Sequence, residues 1–148
     1  MRIYLDTSVI LAWFLEGDQT LDSIPPDTTV ASSRILWVEF GRVLERTIRT
    51  GQVNPEESVD IKRGFDATMA GVDRLRLTDS ILRRAEGSFP LVIRTLDALH
   101  LSSAIAWLGT DDPSTMSVWT FDRQFNLCAA ALGFITPLLE KVVEPNVL

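Results

Sequence analysis

Short apolar segments that alternate with longer amphipathic ones constrain this chain more than any other feature of its sequence. Four segments have the composition and period of β-strands, at 2–5, 28–32, 72–77 and 116–121. Helical patterns lie between or after them, at 7–16, 34–50, 55–70, 79–86, 96–108 and 122–132. Strands that alternate with helices predict an α/β fold with a central, mainly parallel sheet of four to five strands, flanked by helices on both faces.

Several residues mark the expected ends of these helices. Gly51 suits a left-handed end to the helix at 34–50. Asn54 followed by Pro55 is typical of a helix start, and Thr78 and Thr95 are the expected N-caps of two later helices. The length of 148 residues predicts one domain over 1–148, with no element assigned to the tail at 137–148.

Composition excludes several classes of protein. Cys128 is the only cysteine, so no intrachain disulfide forms, and with one histidine in the chain a usual zinc site is disfavoured. The sequence shows neither the pattern of a signal peptide nor an apolar run long enough to cross a bilayer, so we expect a cytoplasmic protein without a membrane partner. The net charge of −6 predicts a basic protein partner, and RNA chemistry here would need local arginines and bound cations.

Two acids follow directly after predicted strands. Asp6 comes after the strand at 2–5, and Asp122 comes after the strand at 116–121. Ligands of parallel sheets bind beyond the carboxyl ends of the strands. Each of these aspartates has a simpler interpretation as a helix N-cap, which remains open for either residue taken alone.

Two further acids lie on predicted helices. Glu39 falls on the flank of the apolar stripe of its helix, where a carboxylate is costly unless it is paired or binds a metal. An ion pair with Arg42 is the alternative. Asp97 lies in the first turn of the most apolar helix, and His100 follows one turn later. We interpret His100 as a partly buried helix residue whose hydrogen bonds are satisfied, and the alternative is that it supports the acids or contacts RNA.

Together the four acids suit a hard divalent cation, because Mg²⁺ in particular uses a few carboxylates and waters. Four segments in this order resemble the PIN-domain family, and within it the VapC-type toxins of toxin–antitoxin pairs. They are Ile3 to Ser8, Ser33 to Leu44, Arg94 to Ala104, and Thr120 to Phe125. The third, Arg94-Thr95-Leu96-Asp97-Ala98-Leu99-His100, is the most specific match.

The resemblance implies a PIN-like three-layer α/β/α fold and endoribonuclease activity dependent on Mg²⁺ or Mn²⁺. It implies that Asp6, Glu39, Asp97 and Asp122 are catalytic, that Asp6, Asp97 and Asp122 hold the metal, and that Glu39 lies at the edge of that set. In-line attack of water on RNA would leave a 5′-phosphate and a 3′-hydroxyl. A cognate VapB-like antitoxin would inhibit the enzyme, and we also expect a homodimer.

Four residues are expected to contact the RNA substrate: Thr7, Arg42, Arg94 and Thr120. One position departs from the family pattern, since some members carry a further acid shortly after the fourth, where this chain has Asn126.

Other functions remain as alternatives. The chain could be an inactive PIN-like scaffold that binds RNA or protein, or a housekeeping RNA-processing nuclease without an antitoxin. A phosphatase with an aspartyl nucleophile is disfavoured, because Ser8 stands where a second acid is expected and Lys62 and Lys141 are the only lysines. A dinucleotide-binding protein is disfavoured because no glycine-rich turn follows the first strand.

Overall fold

The computed structural model describes residues 1–142 of the chain. Four strands form one sheet in the order β3-β2-β1-β4, and all neighbouring pairs are parallel. The strands are β1 (Arg2–Leu5), β2 (Thr29–Ser33), β3 (Asp73–Leu75) and β4 (Met116–Trp119). Because the strands are parallel, their carboxyl ends all lie at one edge of the sheet, which we call the carboxyl edge.

Six α-helices within the described residues connect and cover the strands. They are α1 (Thr7–Leu15), α2 (Ile35–Arg49), α3 (Pro55–Met69), α4 (Asp79–Ala85), α5 (Thr95–Leu108) and α6 (Arg123–Ala131). The predicted three-layer α/β/α arrangement around a parallel sheet is confirmed. None of the helices in residues 1–142 is long and apolar enough to cross a membrane.

Alternate side chains of the strands point to opposite faces of the sheet, and each face has its own apolar core. Ile3 and Leu5 of β1 pack with α1, α2 and α3, whereas Tyr4 between them packs with α5 and α6. This alternation is what successive side chains of a strand must show. Cys128 is fully buried in the second core, which agrees with its apolar neighbours in the sequence.

Most predicted helix ends are confirmed. The Asn54 side chain accepts a hydrogen bond from the Glu57 N–H (2.8 Å), Thr78 accepts one from the Ile81 N–H (3.2 Å), and Gly51 has a φ of +75°. The prediction that Thr95 is an N-cap is wrong, because Thr95 is the first helical residue and Arg94 holds the N-cap position without a side-chain cap.

Two predicted strands are longer than the observed ones. The segment 72–77 forms a strand only at Asp73–Leu75, and the segment 116–121 stops at Trp119. Trp119 is opposite Leu5, the last residue of β1, so the chain beyond Trp119 has no strand to pair with. Thr120 and Phe121 therefore lie in the connection to α6, directly beside Asp6.

Candidate active site

All four acids singled out from the sequence line one cavity of about 290 Å³ at the carboxyl edge, between the ends of β1 and β4. We call it the acid cavity. Its lining consists of Asp6, Thr7, Ser8, Leu11, Glu39, Arg94, Asp97, Phe121 and Asp122. The fold thus brings together carboxylates that are up to 116 positions apart in the chain, which the sequence could only suggest.

Asp6 is held by hydroxyl groups rather than by the helix that it precedes. It occupies the N-cap position of α1 but makes no side-chain capping bond. Its Oδ2 atom instead accepts hydrogen bonds from Ser8 Oγ (2.7 Å) and Thr120 Oγ1 (2.8 Å). The Asp6 side chain is buried and the N-cap interpretation does not hold, so its carboxylate is oriented by these two hydroxyl groups and not by the helix start.

Glu39 points from α2 toward α1 and α5. Its Oε1 atom accepts hydrogen bonds from Thr7 Oγ1 (2.8 Å) and His100 Nε2 (2.7 Å). The alternative ion pair with Arg42 is not formed, because Arg42 pairs with Glu45 on the exposed side of α2. Arg42 does not line the acid cavity, so the structure does not support its predicted contact with substrate there.

Asp97 and Asp122 share one arginine at the mouth of the cavity. Arg94 Nη2 lies 2.8 Å from Asp122 Oδ2, and Arg94 Nε lies 3.3 Å from Asp97 Oδ2. Asp122 also caps α6 through a bond from the Phe125 N–H to Oδ1 (2.8 Å). For Asp122 the capping role and a place in the cavity are therefore compatible, since each uses a different oxygen atom.

His100 is more central than its sequence context indicated. Its side chain is 0% exposed, Nδ1 lies 2.7 Å from the Tyr4 hydroxyl, and Nε2 lies 3.5 Å from Asp6 Oδ1 in addition to its bond with Glu39. Histidine therefore joins two of the four acids from beneath. The only sequence signal was its spacing of one helical turn from Asp97, which does not show which face of α5 meets the sheet.

The electrostatics of the cavity show excess negative charge. Burial, together with the nearby charges of Asp122 and Asp6, raises the pKa of Asp97 to about 6, although Arg94 acts in the opposite direction. Burial alone would lower the pKa of His100, but the bond with Glu39 and the charges of Asp6, Glu39 and Asp97 outweigh it and place the pKa above the ordinary value. Both shifts mean that the site favours additional positive charge.

The donor set suits a divalent cation, although its present arrangement does not enclose one. Among residues 1–142, no group of three acidic, histidine or cysteine side chains stands in a geometry that would hold a metal ion. The Arg94 guanidinium bridges Asp97 and Asp122 and would have to leave at least one of them before both could bind a cation. The Arg94 side chain is 78% exposed, so its ion pairs with the two aspartates, rather than packing, hold it at the cavity mouth.

Thr120 and Asn126, two further positions considered from the sequence, form hydrogen bonds that position Asp6 and Asp122. Thr120 is fully buried, and its hydroxyl accepts a hydrogen bond from the Asp122 N–H (3.0 Å) while it donates to Asp6. Asn126 lies outside the cavity lining, and its Nδ2 donates to the carbonyl groups of Thr120 (2.7 Å) and Asp122 (3.0 Å). Asn126 thus fixes the loop that carries Asp122.

Comparison with known proteins agrees with this architecture. The model of the PIN domain family matches residues 3–130. A crystal structure of VapBC2 from Rickettsia felis, bound to a DNA fragment from their promoter, matches with a TM-score of 0.62 and 15% identity over 92% of this chain and 97% of that chain. A toxin–antitoxin complex from Klebsiella pneumoniae matches with a TM-score of 0.53 and 15% identity over 82% of this chain and 88% of that chain. At such identities the two structures show a shared fold alone, and a search among curated proteins found no match.

Proposed function

The chain belongs to the PIN domain family, and on that premise we propose that it is a divalent-metal-dependent endoribonuclease, a VapC-like toxin that a cognate VapB-like antitoxin inhibits. The observation that carries the proposal is the convergence of Asp6, Glu39, Asp97 and Asp122 around one cavity. Burial and the charges of Asp122 and Asp6 raise the pKa of Asp97, so the ionised Asp97 costs stability, and such a cost is typical of a functional site.

Asp6, Asp97 and Asp122 are the residues that would hold Mg²⁺ or Mn²⁺. A bound metal would lower the pKa of a water molecule and neutralise negative charge on the phosphate. In the hydrolysis, a water oxygen bonds to the phosphorus and the P–O3′ bond breaks, leaving a 5′-phosphate and a 3′-hydroxyl on the RNA.

The protein's own groups position this chemistry. Ser8 and Thr120 hold Oδ2 of Asp6, and the other oxygen, Oδ1, lies 3.5 Å from Nε2 of His100. Thr7 and His100 both donate to Oε1 of Glu39, so its Oε2 is left for water or metal. Arg94 lies at the mouth, where its exposed guanidinium can move from the carboxylates to a substrate phosphate.

The assignment to a toxin–antitoxin pair rests on fold similarity. One matched structure is that of VapBC2 and the other is a toxin–antitoxin complex, and this chain covers most of each matched chain. The net charge of −6 favours a basic partner, as an inhibitor that enters an acidic cavity would be. The homodimer and the cytoplasmic location stay predictions.

The test is RNA cleavage by the purified full-length chain with Mg²⁺, with Mn²⁺ and with EDTA. We expect cleavage only with metal. Asp6→Asn and Asp97→Asn should each lower it more than about 100-fold, since even residues that only orient metal ligands cost roughly 10- to 100-fold. Asp60→Asn, which removes an exposed acid of α3, is the matched control and should cleave like the wild type.

Two results would contradict the proposal. Equal cleavage by the wild type and both cavity variants would show a contaminating nuclease. RNA binding without cleavage under any metal condition would favour the inactive scaffold.

A further inference from the structure

A second cavity of the carboxyl edge is lined by three arginines. It has a volume of about 550 Å³, and we call it the arginine groove. Its lining residues are Arg34, Ile35, Val38, Arg74, Arg76 and Leu77. All three arginines are exposed, and Val38 is 55% exposed, so the groove presents cations around an accessible apolar floor.

The three arginines have no carboxylate partner among residues 1–142. Within the part of the chain that the structure describes, none of them forms an ion pair, although the sequence contains 20 acids against 14 lysines and arginines. Arg74 lies over the Trp37 ring, 4.3 Å from its centroid, which fixes its position without neutralising its charge. The groove is therefore a local concentration of positive charge on an acidic protein.

Strand order places this groove next to the acid cavity. Arg34 directly follows β2 and Arg76 directly follows β3, just as Asp6 follows β1. The Arg34 N–H donates to the Leu75 carbonyl (2.8 Å), which joins the ends of β2 and β3. With strands about 4.8 Å apart, the ends of β3 and β1 are separated by roughly 10 Å.

Helix α2 forms the boundary between the two cavities. Val38 lines the arginine groove, and the next residue, Glu39, lines the acid cavity. One edge of the sheet thus carries acids at β1 and β4 and cations at β2 and β3. A ligand that lies along this edge meets both.

We propose that the arginine groove binds backbone phosphates of a single-stranded RNA whose scissile phosphate lies in the acid cavity. This inference rests on the proposed ribonuclease function and adds where the flanking nucleotides bind. The acid cavity repels a polyanion, so adjacent cations are needed to hold it. A basic partner would be repelled by the three arginines, so their charge favours RNA over a basic antitoxin.

The test is the binding of a fluorescent 20-nucleotide RNA to the full-length chain, measured in EDTA as a function of salt concentration. The variant is Arg34→Gln/Arg76→Gln. The matched control is Arg46→Gln/Arg63→Gln, which removes two exposed arginines outside both cavities. Loss of two phosphate contacts should reduce the slope of log K against log[salt] by about 1.4 and weaken binding roughly ten-fold at physiological salt.

Two further variants and a second ligand serve as controls. Arg34→Lys/Arg76→Lys should keep the wild-type slope, because lysine also binds phosphate as a point charge. The single variant Arg76→Gln should reduce the slope of log K against log[salt] by about 0.7, and it tests the inference even if the double variant does not fold. A 20-residue polyglutamate peptide, measured in the same way, tests whether the groove binds an acidic protein segment instead of RNA.

The outcomes separate this inference from the nuclease proposal. A wild type that binds RNA through these arginines but never cleaves it supports the groove and contradicts the nuclease. A wild type that cleaves RNA while Arg34→Gln/Arg76→Gln binds like its control overturns the groove alone. Arginine-dependent binding of polyglutamate as tight as that of RNA also overturns it, in favour of an acidic protein segment.

Discussion

The Nε2 atom of His100 lies 2.7 Å from Oε1 of Glu39, which ties α5 to α2 across the end of β1. On its other side, the imidazole contacts the hydroxyl of Tyr4, a residue of that strand. The orientation of Glu39 therefore depends on a chain of buried polar groups that reaches into the core.

Tyr4→Phe should destabilise the protein. The Tyr4 hydroxyl accepts the Ser33 N–H (3.1 Å) and contacts His100 Nδ1 (2.7 Å), and its loss leaves both buried groups short of a partner. We expect the free energy of unfolding, measured in urea, to fall by about 1 to 3 kcal/mol. The control is Ser102→Ala, because the buried Ser102 hydroxyl has no partner among the described residues. An equal loss in both variants would contradict the role of the Tyr4 contacts.

Asp97→Asn should stabilise the metal-free protein at neutral pH. The folded state raises the pKa of Asp97 to about 6 from an ordinary value of 3.8, so folding favours the protonated acid. Stability is then lost as pH rises from about 4 to about 6, and the loss is complete at pH 7. The variant escapes this cost, which we expect to be about 1 to 3 kcal/mol.

Urea unfolding in EDTA at several pH values measures this difference. The variant and the wild type should converge below about pH 3, where Asp97 is protonated in both the folded and the unfolded state. Addition of Mn²⁺ should reverse the order at pH 7, since only the wild type gains full metal binding. A variant that is less stable than the wild type in EDTA at pH 7 would refute the expected strain.

Arg94→Gln should strengthen metal binding while it weakens catalysis. The guanidinium neutralises Asp97 and Asp122, and a cation must compete with it. We expect Mn²⁺ to bind roughly two- to ten-fold more tightly in calorimetry, a modest gain because Arg94 is exposed to solvent. RNA cleavage should have a lower kcat/KM, because a phosphate contact is lost. Arg83→Gln, on the exposed side of α4, should change neither quantity, whereas weaker Mn²⁺ binding by Arg94→Gln would show that the arginine supports the metal.

Asn126→Asp should destabilise the fold instead of adding a useful acid. Asn126 is fully buried, and its amide donates to the carbonyl groups of Thr120 and Asp122. A carboxylate cannot donate these bonds and would face two carbonyl oxygens, at a cost of about 3 kcal/mol or more. The matched control is Asn54→Asp, because aspartate caps a helix as well as asparagine does. Thermal melting distinguishes them, and equal melting temperatures would contradict this account.

Local patterns were sufficient to predict the layers of the fold. Strand and helix periods depend on near neighbours in the chain, and these placed β1, α2 and α5 within two residues of their observed bounds. Where a boundary depends on a distant partner, the pattern was less accurate. The end of β4 at Trp119, set by the length of β1, is an example.

The interpretation of single side chains required the tertiary structure. A helical wheel places Arg42 beside Glu39. It cannot show that Arg42 forms its ion pair with Glu45, or that Glu39 forms a hydrogen bond with His100, 61 positions away. The local sequence of Asp6 is that of a helix cap, but in the fold its carboxylate accepts a hydrogen bond from Thr120, which is 114 positions away. The burial of His100 likewise follows from how α5 packs on the sheet.

The position of β4 in the sheet has a consequence for how such a protein is made. Of the four strands in residues 1–142, β4 is the last to leave the ribosome, yet it pairs with β1, the first, and the segment after it brings Asp122 to the acid cavity. A nascent chain that stops before Asp122 cannot complete the carboxylate set, however well its earlier part is folded. For a nuclease that could attack the RNA around it, activity would begin only after Asp122 has left the ribosome.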